Sequence, residues 1–269
     1  MGKYLCENSS TAKIKGYYSR TRQSADIAAT FTNSEAFDSL EKLVDKCDIV
    51  CITTPDDSIL NVWEQIKKYN LQKKIICHFS GSLSSDIFSG IEKKQAERIS
   101  IHPMYAFSDK FTSYKQLNKA SLTMEGSKEA LKIMRELFEK ELKHKVFELK
   151  ANDKVKYHAA AAFSSNYIVG VFDAALGLLK DCGFTDEDAI SLLGPLITEN
   201  VKSAVENGTK AAITGPALRN DVGTVKKHIE ALDGDYLKIY KSVGERIVKI
   251  SEEKYPDRDY SELKNIFTL

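Results

Sequence analysis

A chain of 269 residues with 42% hydrophobic content is long enough for one large packed domain or two ordinary ones. Its 39 Lys and Arg against 38 Asp and Glu leave a formal net charge of +1, so no overall field draws in nucleic acid or an anionic membrane, although a local basic pocket stays open. Five cysteines, Cys6, Cys47, Cys51, Cys77 and Cys182, are odd in number and contain no C-x-x-C pair; they read as reduced, buried thiols of a cytoplasmic protein, and no metal-ligand set is read. No continuous apolar run approaches about twenty residues and Met1 is followed by polar residues, so neither a membrane span nor a signal peptide is expected.

The chain opens on MGKYLCEN, Met1 to Asn8, which reads as the tail of a helix. From Lys13 to about Leu149 short β-rich runs alternate with amphipathic stretches, the pattern of parallel strands joined by crossover helices. Strands are predicted at Lys13 to Ser19, Asp48 to Thr54, Lys74 to Ser80, Arg98 to His102, Ala120 to Met124 and Lys145 to Leu149. Several are continuous apolar runs, as strands buried on both faces should be. Helices are predicted between them at Ser58 to Tyr69, where Ile59, Val62, Trp63, Ile66 and Tyr69 make a 3.6-period stripe, and at Ser127 to Leu142.

After Leu149 only helices are predicted. Asn152 or Asp153 can cap a helix that runs through Ala159 to Ala162 and stops at Cys182-Gly183. Its length is roughly thirty residues, about 45 Å, and small, aromatic and aliphatic residues cover its circumference, so neighbours should enclose it on most sides. A second helix, Thr185 to Asn207, should kink at Pro195 and end at Gly208. Further helices are expected at Val222 to Leu232, Tyr236 to Lys254 and Tyr260 to Phe267. The fold class is α/β: a doubly wound, mostly parallel sheet over residues 1–150, then an all-helical substrate or dimerisation domain over 151–269.

One part of the usual dinucleotide-binding plan is absent before KIKGYYSRT, Lys13 to Thr21. The first strand and its G-x-G-x-x-G turn normally set a pyrophosphate on a helix N-terminus, and the second strand ends beside the adenosine ribose. In open α/β sheets ligands bind beyond the carboxyl ends of the strands, so those ends are the candidate site. At Ser19-Arg20-Thr21 an arginine stands where an acidic residue would bond a ribose 2′-hydroxyl, which favours a 2′-phosphate and NADP over NAD; the alternative is a solvated arginine in a turn. Thr53-Thr54-Pro55 would lie beside the nicotinamide-side ribose, with Asp56 or Asp57 either near it or merely capping the next helix.

Two further strand ends are His78-Phe79-Ser80-Gly81-Ser82 and His102-Pro103-Met104. Gly81 allows close backbone approach, and two histidines at neighbouring ends suggest function more than either would alone, the alternative being that they bond loop carbonyls. On the long helix His158, Ala162, Ser165 and Asn166 fall at i, i+4, i+7 and i+8, one face with imidazole, hydroxyl and amide for a substrate or for a core network. Arg219, in the loop Ile213 to Asp221, can clamp a carboxylate or pair with Asp221, itself a cap for the following helix with Thr224 and His228.

The stretches YYSRT, DIVCITTPDDSI, HFSGSLSSDIF, SIHPMYAF, KYHAAAAFSSNY and ITGPALRNDVGTVKKH resemble Rossmann-like proteins with the helical C-terminal domain of unknown function 2520, a family labelled NADP-dependent oxidoreductases. More distantly the layout is similar to pyrroline-5-carboxylate reductase, ketopantoate reductase, the β-hydroxyacid dehydrogenases and the F420-dependent NADP reductases. The resemblance implies NADP and a homodimer whose helical domains pair. Two departures stand out. The family pattern places a strand and glycine loop immediately before Gly2-Lys3-Tyr4-Leu5, so the chain reads either as started downstream of them or as a domain that lost its phosphate grip. The β-hydroxyacid and ketopantoate relatives carry a lysine one turn before an asparagine, where Ala162 precedes Asn166. The proton donor would then be His158 or a strand-end histidine.

The leading expectation is hydride transfer to or from a small carbonyl or imine. Its expected cofactor contacts are Ser19, Arg20, Thr21, Thr53, Thr54, Pro55, Ser80 and Gly81, and its expected catalytic residues His158, Asn166, Arg219 and His102. Two other readings stay open: a dinucleotide-binding or sensing protein without turnover, and a degenerate structural dimer.

Overall fold

The computed structural model describes residues 1–268, which divide into two compact units, one of Met1–Ser165 and one from 166 onward. The first contains α1 (Gly2–Asn8), β1 (Gly16–Tyr17), α2 (Arg22–Thr32), β2 (Glu35–Ala36), α3 (Leu40–Lys46), β3 (Ile49–Ile52), α4 (Asp56–Ile66), β4 (Ile75–His78), β5 (Glu97–Met104), β6 (Ser121–Gly126), α5 (Lys128–Arg135), β7 (Val146–Glu148) and α6 (Lys154–Ser164). The six expected strands are present, each trimmed or shifted by a few residues except β5, which is longer at both ends than expected. Helix starts follow their caps: Thr21 Oγ1 accepts from the Ser24 amide at 3.3 Å and Ser39 Oγ from the Lys42 amide at 3.5 Å. The stretch read as one helix to Leu142 is α5 continued by a wider π-type turn, Glu136–Glu141.

The main sheet has the order β3-β4-β5-β6-β7, with β3, β4 and β5 mutually parallel, β6 antiparallel to β5, and β7 parallel to β6. β1 and β2 form a separate parallel pair, Gly16 opposite Glu35 and Tyr17 opposite Ala36. Gly16 is required there, since a Cβ would run into the Glu35 carbonyl. β1 and β3 belong to separate sheets and are not hydrogen-bonded to each other. Each therefore keeps one unpaired edge.

Both faces of the main sheet are covered. On one, Ile75, Cys77, Ile99, Ile101, Leu122 and Met124 pack with Ala130, Met134 and Phe138, and with Tyr4 and Leu5 of α1. On the other, Val50, Ile52 and Ile76 pack with Ile59, Trp63 and Ile66 of α4 and with Phe88 and Ile91. This is why the strands read as unbroken apolar runs.

The second unit comprises α7 (Asn166–Asp181), α8 (Asp186–Asn207), α9 (Thr209–Ala212), α10 (Pro216–Arg219), α11 (Val222–Ala231), α12 (Gly234–Lys254) and α13 (Ser261–Thr268), around a core of Ala217, Val225, Val248, Tyr260, Leu263 and Phe267. α8 continues through Pro195. Three expectations are corrected. The long helix is interrupted at Ser165 (φ −130, ψ −77), and α7 buries none of its residues, with Tyr167, Val169 and Val171 exposed. Apolar periodicity calls for a cover but cannot say what provides it. Stretch 151–181 is, by length and composition, long and apolar enough to cross a membrane, because scattered polar residues lower the mean hydropathy less than they interrupt a run. Of the cysteines, Cys77 is buried while Cys6, Cys51 and Cys182 are exposed.

Candidate active site

The register of β4 and β5 assembles the site. His78 pairs with Ser100, and His102 lies two residues further along β5 on the same face. Burial differs sharply between the two histidines. His78 is wholly enclosed, its ring edge-on to Phe88 at 5.3 Å. Its Nδ1 accepts from the Ser80 amide at 3.2 Å, so the proton sits on Nε2, which has no hydrogen-bond partner among the described residues. His78 is thus a core histidine. His102 is half-buried and faces α6: its Nδ1 lies 2.9 Å from the Tyr157 hydroxyl, and its ring stands at 85° to that of His158 with centroids 5.6 Å apart.

Gly81 completes the cluster. A Cβ on Gly81 would lie 2.9 Å from His102 Nε2 and closer still to His158 Nδ1. Two imidazole nitrogens therefore converge on one stretch of backbone just past the end of β4. His158 is exposed, so one side of the cluster is open. The hydroxyls beside it are committed: Ser80 Oγ donates to Asp56 at 2.6 Å and Ser82 Oγ to the same carboxylate at 2.9 Å. Asp56 is therefore not a simple helix cap; the residue before it, Pro55, is the N-cap of α4 and makes no side-chain bond.

Sequence reasoning missed Lys154. Its Nζ, on a side chain only 1% exposed, donates to the Ser80 carbonyl at 2.9 Å and to Ser100 Oγ at 2.5 Å. Nothing in KVKYH separates Lys154 from the exposed Lys156; the available hint was its position one turn before His158. This burial is also why α6 belongs with the sheet.

Burial is the main cause that lowers both imidazoles, His78 and His102, to about 4, and the Lys154 charge adds to it in each. Burial likewise lowers the Lys154 ammonium, while Glu125, Asp56 and Cys77 act to raise it. A sign follows for stability. The folded chain keeps these imidazoles neutral where an unfolded chain takes up protons near 6.5, so stability is complete above about 6.5 and declines as the pH falls toward 4. The enclosed His78 alone is expected to cost about 2 kcal/mol at pH 5. Urea midpoints at pH 7.5 and pH 5 check this, and a flat profile would contradict neutral burial.

The other expected residues lie as follows. Ser19 and Arg20 form the turn after β1, and Thr21 caps α2; Arg20 is exposed and makes no ion pair among the described residues. Thr53, Thr54 and Pro55 are exposed at the end of β3. Asn166 begins α7 and Arg219 ends α10, both in the second unit. The helix read as carrying both His158 and Asn166 is interrupted at Ser165, so that His158 lies on α6 of the first unit and Asn166 opens α7 of the second. Arg219 makes no ion pair with Asp221, which instead caps α11 through the Thr224 amide and hydroxyl at 3.1 and 2.8 Å.

Residues 120–247 match the model of the domain of unknown function DUF2520. No curated protein matches the sequence. Among solved structures, the chain is similar to a Bacteroides fragilis protein named as a candidate NADP oxidoreductase (21% identity, TM-score 0.72, 92% of each chain). It is also similar to protein TM1727 of Thermotoga maritima (23%, TM-score 0.71, 88% of this chain and 90% of that one), and to a pyrroline carboxylate reductase of Plasmodium falciparum with NADP bound (16%, TM-score 0.57, 99% and 93%). At these identities the likeness is one of fold. The chain thus has a Rossmann-like architecture followed by a helical region, and its residues 120–247 match the DUF2520 model, in line with its motifs.

Proposed function

We propose that this chain is an NADP-dependent oxidoreductase acting on a small carbonyl or imine, with the His102, Tyr157 and His158 cluster at Gly81 as its proton-handling centre. The observation that carries the reading is the convergence of two imidazole nitrogens on backbone at the carboxyl end of a parallel strand, where such sheets bind ligands. His158 is the exposed member and the candidate to give or take the proton at the substrate heteroatom. His102 is neutral at physiological pH, so it can accept or pass a proton through Nε2 while Tyr157 occupies Nδ1.

Residues at two strand ends fit a nicotinamide dinucleotide. The unpaired guanidinium of Arg20 after β1 suits a 2′-phosphate, and the exposed Thr53, Thr54 and Pro55 suit the nicotinamide-side ribose. When bound, the cofactor supplies or accepts the hydride. The Plasmodium reductase of similar fold has NADP bound, which supports the choice. Asn166 and Arg219 belong to the second unit, and the reading rests on the first unit's cluster. The exposed apolar residues of α7 and α8, Val169, Val171, Ile190, Leu192 and Leu196, support a homodimer formed through the helical unit, and the reading places the protein in the cytoplasm.

Calorimetric titration tests the cofactor assignment. NADPH should bind several-fold tighter than NADH, and Arg20→Ala should remove most of that difference. Equal affinity for both would overturn the NADP assignment, and no binding of either would overturn the dinucleotide reading. NADPH binding without consumption across a panel of keto acids and cyclic imines would favour the sensing alternative.

A further inference from the structure

Lys154 has no part in the proton-handling scheme, yet it is the most deeply enclosed cation of the first unit. An ammonium 1% exposed is costly to bury, and it is tolerated only with partners and nearby opposite charge. Its two acceptors belong to different strand ends. The Ser80 carbonyl lies past the end of β4, next to Gly81, and Ser100 is on β5, two residues before His102. The same helical turn that begins at Lys154 carries Tyr157 and, at i+4, His158. One side chain thus ties together the three segments that meet in the cluster.

We propose that Lys154 is a positioning residue, which pins the first turn of α6 to the ends of β4 and β5 and so sets Tyr157 and His158 against His102 and Gly81. The inference rests on the functional reading only for what the histidines do; the placement itself is a property of the protein without cofactor. The groups facing His102 are Lys154, Tyr157 and His158 from α6 and Asp56 from α4; those facing Lys154 are Glu125 of β6, Asp56 and Cys77 of β4. Removing the lysine has two separable consequences. The hydrogen bond between Tyr157 and His102 loses its anchor, and the charge that opposes protonation of His102 disappears.

Histidine-selective NMR on the full chain without cofactor reads both. In Lys154→Met the His102 Nδ1 resonance should leave its hydrogen-bonded position, and the His102 midpoint should rise by about one pH unit. His144, whose Nδ1 lies 2.9 Å from the Ala120 carbonyl, should stay unchanged. Lys154→Arg keeps the charge and should hold the midpoint low even where packing loosens, which a merely structural role would not predict. Should Lys154→Met fail to fold, Ser100→Ala removes one acceptor but keeps the charge, and should shift the His102 Nδ1 resonance by a smaller amount while leaving its midpoint low. Unchanged His102 resonances in a folded Lys154→Met, or in Ser100→Ala where that variant has to decide, would overturn the proposal. Failure of NADPH binding would not bear on it.

Discussion

Gly81→Ala should lower turnover about a hundredfold while leaving the melting temperature within a few degrees, because its methyl group occupies the point on which the two imidazole nitrogens converge. His102 is the less able to give way: it sits on β5 and its Nδ1 is engaged by Tyr157 at 2.9 Å. His158 is exposed and can swing outward, so the added methyl is accommodated at little cost in stability but separates the pair. The rate of NADPH consumption, with whichever keto acid or cyclic imine the unaltered chain turns over, checks this. Unchanged turnover would remove the paired imidazoles from the reaction. A large drop in melting temperature would show Gly81 to be structural instead.

Trp63→Ala should be the most damaging single substitution in the first unit, at about 3–5 kcal/mol. Trp63 is fully enclosed, its ring lies 5.4 Å from Phe88, and its Nε1 donates to the Ser89 carbonyl at 3.3 Å. The truncation opens a large cavity and leaves that carbonyl without its donor. Set against a total stability of about 5–15 kcal/mol, such a loss is a large fraction. It should also reach the site, because α4 begins with Asp56, which receives the hydroxyls of Ser80 and Ser82. Urea denaturation at pH 7.5 measures the loss, and a cost below about 1 kcal/mol would contradict the packing described.

The strands were legible because burial on both faces turns them into short continuous apolar runs, as in Ile75 to His78. β2, two residues reading Glu-Ala, carries no such pattern, and only its pairing with Gly16 and Tyr17 makes it a strand. The site was half legible. Strand ends with histidine, serine and glycine pointed to His102 and Gly81, but the two histidines were indistinguishable until register and Phe88 enclosed one of them. Lys154 was hidden because a lysine in a helix reads as solvent-facing, and its two acceptors lie 74 and 54 residues away in sequence. Asn166 was placed with His158 by counting turns across Ser165, where the helix is interrupted.

The chain has five histidines, His78, His102, His144, His158 and His228, which makes one spectrum a direct test of the central claim. Histidine-selective NMR during titration with NADPH should move the His102 and His158 resonances together while leaving His144 and His228 in place. Saturable binding that moves neither His102 nor His158, or the absence of any change up to millimolar NADPH, would contradict a dinucleotide-dependent reaction at the Gly81 cluster.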